Sequence, residues 1–312
     1  MQLRWVGAIV IGLVLLTTVA CIGGIVLIGV TQSDTPGGDH VAVINVHGQI
    51  TTRAPEGLFA TGGASAERII DQLEQAGENS SVKAVLLHVD SPGGAVVPSQ
   101  QIHDAVVRVR DGGTPVVAYF GNSATSGGYY VSAPADLIVA NAGTITGSIG
   151  VITQVPNLED LYDKLGIEMQ TITTGEYKDM MQPARPLTEE EREIIAEIQE
   201  ESLDDFVDAI VSGRDLDEEE VRELADGRIF TGQQGVENGL VDELGDYRDA
   251  VRLTGELADL GDDPDVREYT QTQDFWDLVL GGGVDGSGIS LPSIFDIDLD
   301  PRDMYLELKY GG

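Results

Sequence analysis

The sequence predicts an α/β domain with a largely parallel sheet, preceded by one transmembrane helix. Two observations carry this. From residue 41 onward, runs rich in Val and Ile alternate with segments whose apolar residues recur at helical spacing, and such alternation favours parallel strands joined by helical crossovers. Ahead of them, the stretch from Trp5 to Val30 contains no charged side chain. A run of ~20 apolar residues suffices to cross a bilayer, whereas a cleavable signal peptide has an apolar region of only ~7–15 residues, so an uncleaved anchor is expected.

Arg4 precedes this span, Asp34 and Asp39 follow it, and the next basic residue is Arg53. The positive-inside rule then puts the N-terminus in the cytoplasm and everything after residue 30 on the outer side of the cell membrane. Residues 31–40, with Pro36-Gly37-Gly38, read as a linker. The domain proper is expected over residues 41–260, with strands at 41–46, 82–89, 114–119, 137–140 and 167–173. Residues 66–75 and 98–109 read as helices between them. A long helix is predicted over 188–212, because Thr188 followed by Glu191 makes a capping box and Ile194, Ile195, Ile198, Leu203, Phe206 and Ile210 give it a face to bury. A shorter helix should span 217–225, capped by Asp217. Residues 261–312 read as an irregular extension with two glycine clusters.

The chain has 312 residues, 53 of them acidic and 18 basic, for a net charge of −35. It lacks the clustered Lys and Arg that phosphate contacts require, which excludes nucleic acid as a partner. The acid is spread along the soluble part, as in a surface that stays hydrated in high salt, where screening cuts self-repulsion; a halophilic setting is expected. An acidic surface that recruits basic partners is the alternative. The single cysteine, Cys21, excludes an intramolecular disulfide, and its place inside the apolar run favours a buried membrane thiol over a lipid attachment site.

Two small-residue stretches carry candidate chemistry. Ser91-Pro92-Gly93-Gly94 follows a strand, and paired glycines there let backbone N–H groups face a negative charge. The stretch lacks the Gly-x-x-x-x-Gly-Lys pattern of a nucleotide loop, and no cofactor or metal motif occurs elsewhere. An oxyanion hole needs the same geometry as a phosphate cradle. Ser126, in Ala124-Thr125-Ser126-Gly127-Gly128, also follows a strand and precedes a short run that can start a helix, the setting of an activated nucleophile. Gly127 and Gly94 would then supply the N–H donors.

All four histidines (His40, His47, His88, His103) precede Ser126, so attention turns to lysine as the base. Lys178, in Gly175-Glu176-Tyr177-Lys178-Asp179, is the candidate. A lysine with its reference pKa of ~10.4 is neutral about once in a few thousand molecules near pH 7; lowering it to ~7 corresponds to roughly 4–5 kcal/mol. Burial among apolar groups is the usual source of such a shift, and Tyr177, Met180 and Met181 flank the residue. Ser148, in Thr146-Gly147-Ser148-Ile149-Gly150, is a candidate hydroxyl to orient the amine.

In this order, Asp90-Ser91-Pro92-Gly93-Gly94, then the Ser126 stretch with Tyr129-Tyr130, then Thr146–Val151, then the Lys178 turn, the chain closely resembles the signal peptide peptidase A (protease IV) family of serine proteases. The resemblance continues through Arg185-Pro186-Leu187-Thr188, Gly227-Arg228-Ile229-Phe230 and Gly239-Leu240-Val241-Asp242, covering roughly residues 41–260. It implies a Clp-protease/crotonase-like fold with Ser126 as nucleophile, Lys178 as general base, Ser148 coordinating the lysine, and Gly94 with Gly127 as the oxyanion hole. The chain carries one copy of a unit that long relatives carry twice. The resemblance also implies a membrane-tethered homo-oligomeric ring, and leaves open whether Ser126 and Lys178 pair within one subunit or between neighbours. The implied activity is hydrolysis of hydrophobic peptides such as cleaved signal peptides through an acyl-enzyme, without a cofactor. Cleavage of stomatin-like membrane partners is a related alternative, and a crotonase-like acyl-CoA enzyme or a catalytically dead scaffold are readings from other classes.

Overall fold

A computed structural model describes residues 38–53 and 63–269. The expected anchor at 5–30, most of the linker, Cys21 and the chain beyond Tyr269 lie outside the described residues. Among the described residues, no helix is long and apolar enough to cross a membrane.

Strands β1 (His40–His47), β4 (Val82–Ser91), β5 (Val116–Thr125) and β6 (Leu137–Ala140) lie side by side and parallel at the centre of an eight-stranded sheet. Two short strands, β2 (Ile50–Thr51) and β3 (Ala64–Ser65), pair separately, and Ile50 also bridges to Gly94. The helices α1 (Ala66–Glu78) and α2 (Val96–Asp111) are the crossovers that parallel pairing demands. They cover one face, where Ala42, Ile44, Val46, Leu87, Val89 and Phe120 meet Ile69, Leu73, Ile102 and Val106. The opposite face buries Val41, Val43, Leu86, Val117 and Val139 against Ala250. Because both faces are covered, the middles of the central strands, residues 41–44, 84–87, 116–120 and 137–140, carry apolar or aromatic side chains at successive positions rather than alternating. Each fully buried Val, Leu or Ile contributes about 1.5–3 kcal/mol, so the central strands form a stiff platform.

Beyond the centre, α3 (Gly127–Tyr130) follows β5, and β7 (Ile145–Gly147) pairs with the far end of β5. Next come α4 (Glu159–Leu165), α5 (Glu189–Arg214) and α6 (Glu218–Leu224). After them, β8 (Ile229–Thr231) runs antiparallel to β7. Then α7 (Gly232–Glu237) leads to β9 (Glu243–Leu244), which forms one sheet edge beside β6. Helix α8 (Tyr247–Leu257) supplies Ala250, and β10 (Val266–Glu268) adds a parallel strand outside β1. The sheet thus extends past residue 260.

The Thr188 capping box forms, with the Thr188 hydroxyl accepting from the Glu191 N–H and the Glu191 carboxylate accepting from the Thr188 N–H. Three expectations need correction. Residues 167–173 are not a strand: among the described residues they pair with no strand, and Ile172 is 98% exposed. The face predicted for the long helix is buried only in its C-terminal half, at Phe206, Val207 and Ile210, while Ile198 is 55% exposed. Asp217 sits at the N-cap of α6, but its side chain makes no capping hydrogen bond.

Candidate active site

Strands β4, β5 and β7 all end at the same edge of the molecule, and the carboxyl ends of parallel strands are where such sheets bind ligands. Strand β5 pairs with β6 through Val117–Phe120 and then with β7 through Ser123–Thr125, carrying the chain beyond the main sheet. The Asp90 carboxylate steadies this overhang, accepting from Asn122 Nδ2 at 3.0 Å and from the Ser123 N–H at 3.1 Å. At the tip stands Ser126, with φ 51° and ψ −124°. Its N–H donates to Gly147 C=O at 2.8 Å, and its C=O accepts from Tyr130 N–H at 2.9 Å, so the bend is fastened on both sides.

The loop after β4 closes against this bend. Gly93 has φ 94°, and a Cβ there would lie 2.7 Å from Gly127 N and 2.9 Å from Ser126 Cβ. At Gly94 a Cβ would come within 2.0 Å of Ile50 O, so only glycine allows the two backbones to meet. A Cβ on Gly127 would lie 3.2 Å from Gly94 N, which places the Gly94 and Gly127 amides together beside Ser126. Neither N–H has an acceptor among the described residues. Two unpaired amides beside a hydroxyl are what an oxyanion hole requires.

A cavity of about 490 Å3 opens over these groups, lined by Gly94, Ser126, Gly127 and Ser148. Ser148 follows β7, also has φ 51°, and donates its N–H to Arg228 C=O at 2.8 Å. Val96, Val151, Ile152, Leu203 and Phe206 give it apolar walls, interrupted by the polar Ser99, Gln100, Ser202 and Asp226.

Among the residues that line this cavity, none is suited to act as a base. None of the four histidines lines it. His40 stacks on Tyr269, His47 and His88 contact each other on the other face of the sheet, and His103 packs behind Tyr130. Burial first, then Asp205, Asp104 and Asp208, push the Tyr130 phenol up to about 12, so it stays neutral. The Asp226 carboxylate is held down to about 2 by hydrogen bonds from the Arg228 side chain and then the Arg228 amide, which makes it a feeble proton acceptor.

Lys178 does not line the cavity. It is exposed, within a turn where its N–H donates to Gly175 C=O at 3.2 Å. Tyr177 and Met181 beside it are 44% and 42% exposed, so one chain alone does not assemble an apolar setting for the amine. The turn belongs to an arm, residues 151–188, that carries further exposed apolar side chains at Ile152, Ile167, Met169 and Ile172. A clamp that the sequence reading missed fixes the base of the arm. Arg185 donates to Asp179 at 2.9 Å and to Glu191 at 2.8 Å. Those hydrogen bonds from Arg185 come first among the causes that hold both carboxyls below their ordinary range, Glu191 at about 2. The acidic-basic spacing around the Thr188 capping box was the available signal. Among the described residues, no cluster of three or more His, Cys, Asp or Glu is arranged to hold a metal ion.

Comparison with known proteins shows the family. Residues 108–261 match the model of peptidase family S49. A Synechocystis protein named as a candidate protease is 45% identical over 208 residues, 66% of this chain and 74% of that one. A candidate signal peptide peptidase SppA of Enterococcus faecium is 37% identical over 244 residues, 78% of this chain and 71% of that one. Protease 4 of Haemophilus influenzae is 34% identical over 230 residues, 74% of this chain but 37% of that longer protein. With the family model matched and two relatives covered over 71% and 74% of their own length, the chain belongs to peptidase family S49, and it is a serine peptidase of the signal peptide peptidase A and protease 4 kind.

Proposed function

We propose that the protein is a membrane-anchored endopeptidase of Clp-protease/crotonase-like fold that cleaves hydrophobic peptides, cleaved signal peptides among them, with a Ser126–Lys178 dyad completed between neighbouring subunits. The observation that supports this is the cavity itself: Ser126 and two amides without an acceptor line it, no lining residue is a usable base, and Lys178 stands exposed on an arm with several exposed apolar side chains. Packing of that arm against a neighbour would bury Lys178 and favour its neutral form. The membrane-crossing segment at 5–30 would tether the ring, with the catalytic domains on the outer side. Membership of a peptidase family sets aside the acyl-CoA and scaffold readings.

In this mechanism an extended peptide lies along residues 148–152 with an apolar side chain in the cavity. Neutral Lys178 takes the Ser126 Oγ proton as Oγ bonds to the scissile carbonyl carbon, and the carbonyl oxygen gathers negative charge between the Gly94 and Gly127 N–H groups. Collapse breaks the C–N bond, the leaving amine takes the proton from Lys178, and an ester to Ser126 remains. Water then attacks the ester, giving its proton to Lys178, and the acid product leaves as Ser126 recovers a proton. The Ser148 hydroxyl orients the amine throughout.

Three detergent-solubilised proteins test this in high salt with a signal-peptide substrate: wild type, Ser126→Ala and Lys178→Ala. Both variants should be inactive. Rings formed by mixing the two in equal amounts should recover about a quarter of the wild-type sites, since that share of random interfaces in a cyclic assembly joins an intact serine to an intact lysine. Mixed rings that assemble and stay inactive would place the dyad within one chain. Activity in Lys178→Ala alone would remove Lys178 as the base.

A further inference from the structure

Ser91 is fully buried at the end of β4 and does not line the cavity. Its hydroxyl donates to Gly48 C=O at 2.7 Å and accepts from the Gly93 N–H at 3.1 Å. One side chain therefore ties the turn after β1 to the loop that carries Gly94. The next peptide group, Gly93–Gly94, is fixed from the same side: its C=O accepts from Ile50 N–H at 2.9 Å. A trans peptide group is planar, so its N–H, that of Gly94, points away from Ile50. Gly127 lies close by, since a Cβ there would be 3.2 Å from Gly94 N. Residues 48–50 thus act as a splint, held to the loop by Gly48 N–H on Asp90 C=O at 2.9 Å, by Ala95 N–H on Ile50 C=O at 3.0 Å, and by the Ser91 hydroxyl.

We propose that Ser91 is a positioning residue for peptide-bond hydrolysis, aiming the Gly94 N–H at the oxygen that becomes negative in the tetrahedral intermediate. This rests on the reading of Ser126 as nucleophile and Gly94 as an oxyanion donor. Preorganised donors act where charge develops and contribute little to ground-state binding, so the effect of Ser91 falls on turnover.

The test uses the full-length protein in detergent and compares wild type, Ser91→Ala and Ser91→Thr. A lost oxyanion donor costs about 100- to 1000-fold in kcat, and a misaimed one less, so Ser91→Ala should lower kcat by about 10-fold or more with KM within about twofold. A peptide aldehyde, whose adduct with Ser126 places an oxygen in the oxyanion hole, should lose affinity in step with kcat, whereas the matching peptide alcohol should not. Ser91→Thr keeps the hydroxyl and should recover most of the loss. If Ser91→Ala does not fold, Ser91→Cys, a weaker donor of similar volume, replaces it in the same two comparisons. Wild-type kcat in Ser91→Ala, or a fall in kcat with unchanged aldehyde affinity, overturns the proposal while the Ser126 adduct still forms. A wild type that forms no adduct, or an adduct that persists in Ser126→Ala, overturns the nucleophile assignment and this proposal with it.

Discussion

Ser126 and Ser148 share a backbone angle, φ 51°, in a region that costs a non-glycine residue roughly 1–3 kcal/mol. Backbone hydrogen bonds hold both in place, Ser126 through Gly147 C=O at the end of β7 and Ser148 through Arg228 C=O just ahead of β8. The strain has a use, because a serine in an ordinary strand conformation would turn its hydroxyl to a sheet face instead of the cavity. Gly93 is the residue on which this geometry leans hardest, with φ 94° and a Cβ position only 2.7 Å from Gly127 N. Gly93→Ala is expected to lower kcat by about 100-fold, as small misplacements near reacting atoms do, and to cost roughly 1–3 kcal/mol in urea unfolding. Gly143→Ala, where a Cβ would meet nothing within 4 Å, serves as the control and should leave both unchanged. Full activity in Gly93→Ala would mean that the loop after β4 does not shape the site.

The arm is the element that distinguishes this chain from a bare parallel-sheet domain, and its base is an electrostatic joint. Glu191 is buried, caps α5 through Thr188, and receives Arg185, which also holds Asp179 beside Lys178. The Glu191 carboxyl is depressed from 4.5 to about 2, chiefly by the Arg185 hydrogen bond, so the ionised form stabilises the fold. That contribution is complete above the unfolded value and is lost as pH falls through the folded one. Glu191→Gln should therefore melt below wild type at pH 7, and the gap should close between pH 4.5 and about 2. A gap that is constant with pH would assign the effect to packing. The sequence made some of this legible. The Thr188 capping box is a local pattern and could be read directly, as could β1, β4 and β6, which are rich in Val, Ile and Leu and stand between turn or helix signals. Ser126, Ser148, Gly94 and Gly127 could be placed in motifs, yet their meeting in one cavity depends on strand order. Residues 167–173 misled because β-branched content reports what a backbone tolerates, whereas a strand also needs a partner edge. Ser91 and Arg185 were invisible as positioning groups, since their roles lie in contacts across the sheet and around a turn.

At the scale of the whole molecule, the chain has a net charge of −35, and among the described residues eight of the fifteen exposed large apolar side chains lie on the arm that bears the candidate base. Self-repulsion of such a chain opposes assembly at low ionic strength, and salt both screens that repulsion and, for excluded salts, strengthens apolar burial. Assembly and activity should thus rise together with salt if the arm meets a neighbour. Ile172 tests the link, because at 98% exposure it makes almost no contact within its own chain. Replacing it with glutamate should change the stability of the separate domain by no more than about 0.5 kcal/mol, as exposed substitutions do. In the assembled protein the same change would bury a charge in an apolar contact. Ile172→Glu is therefore expected to shift sedimentation towards monomer and to abolish peptide cleavage, with the thermal melt of the monomer unchanged. Higher salt should restore both only in part, since screening relieves repulsion but not the cost of dehydrating a carboxylate. An Ile172→Glu protein that sediments as wild type and cleaves at the wild-type rate would show that the arm faces solvent in the working enzyme, and Lys178 would then have to reach Ser126 by a movement within its own chain.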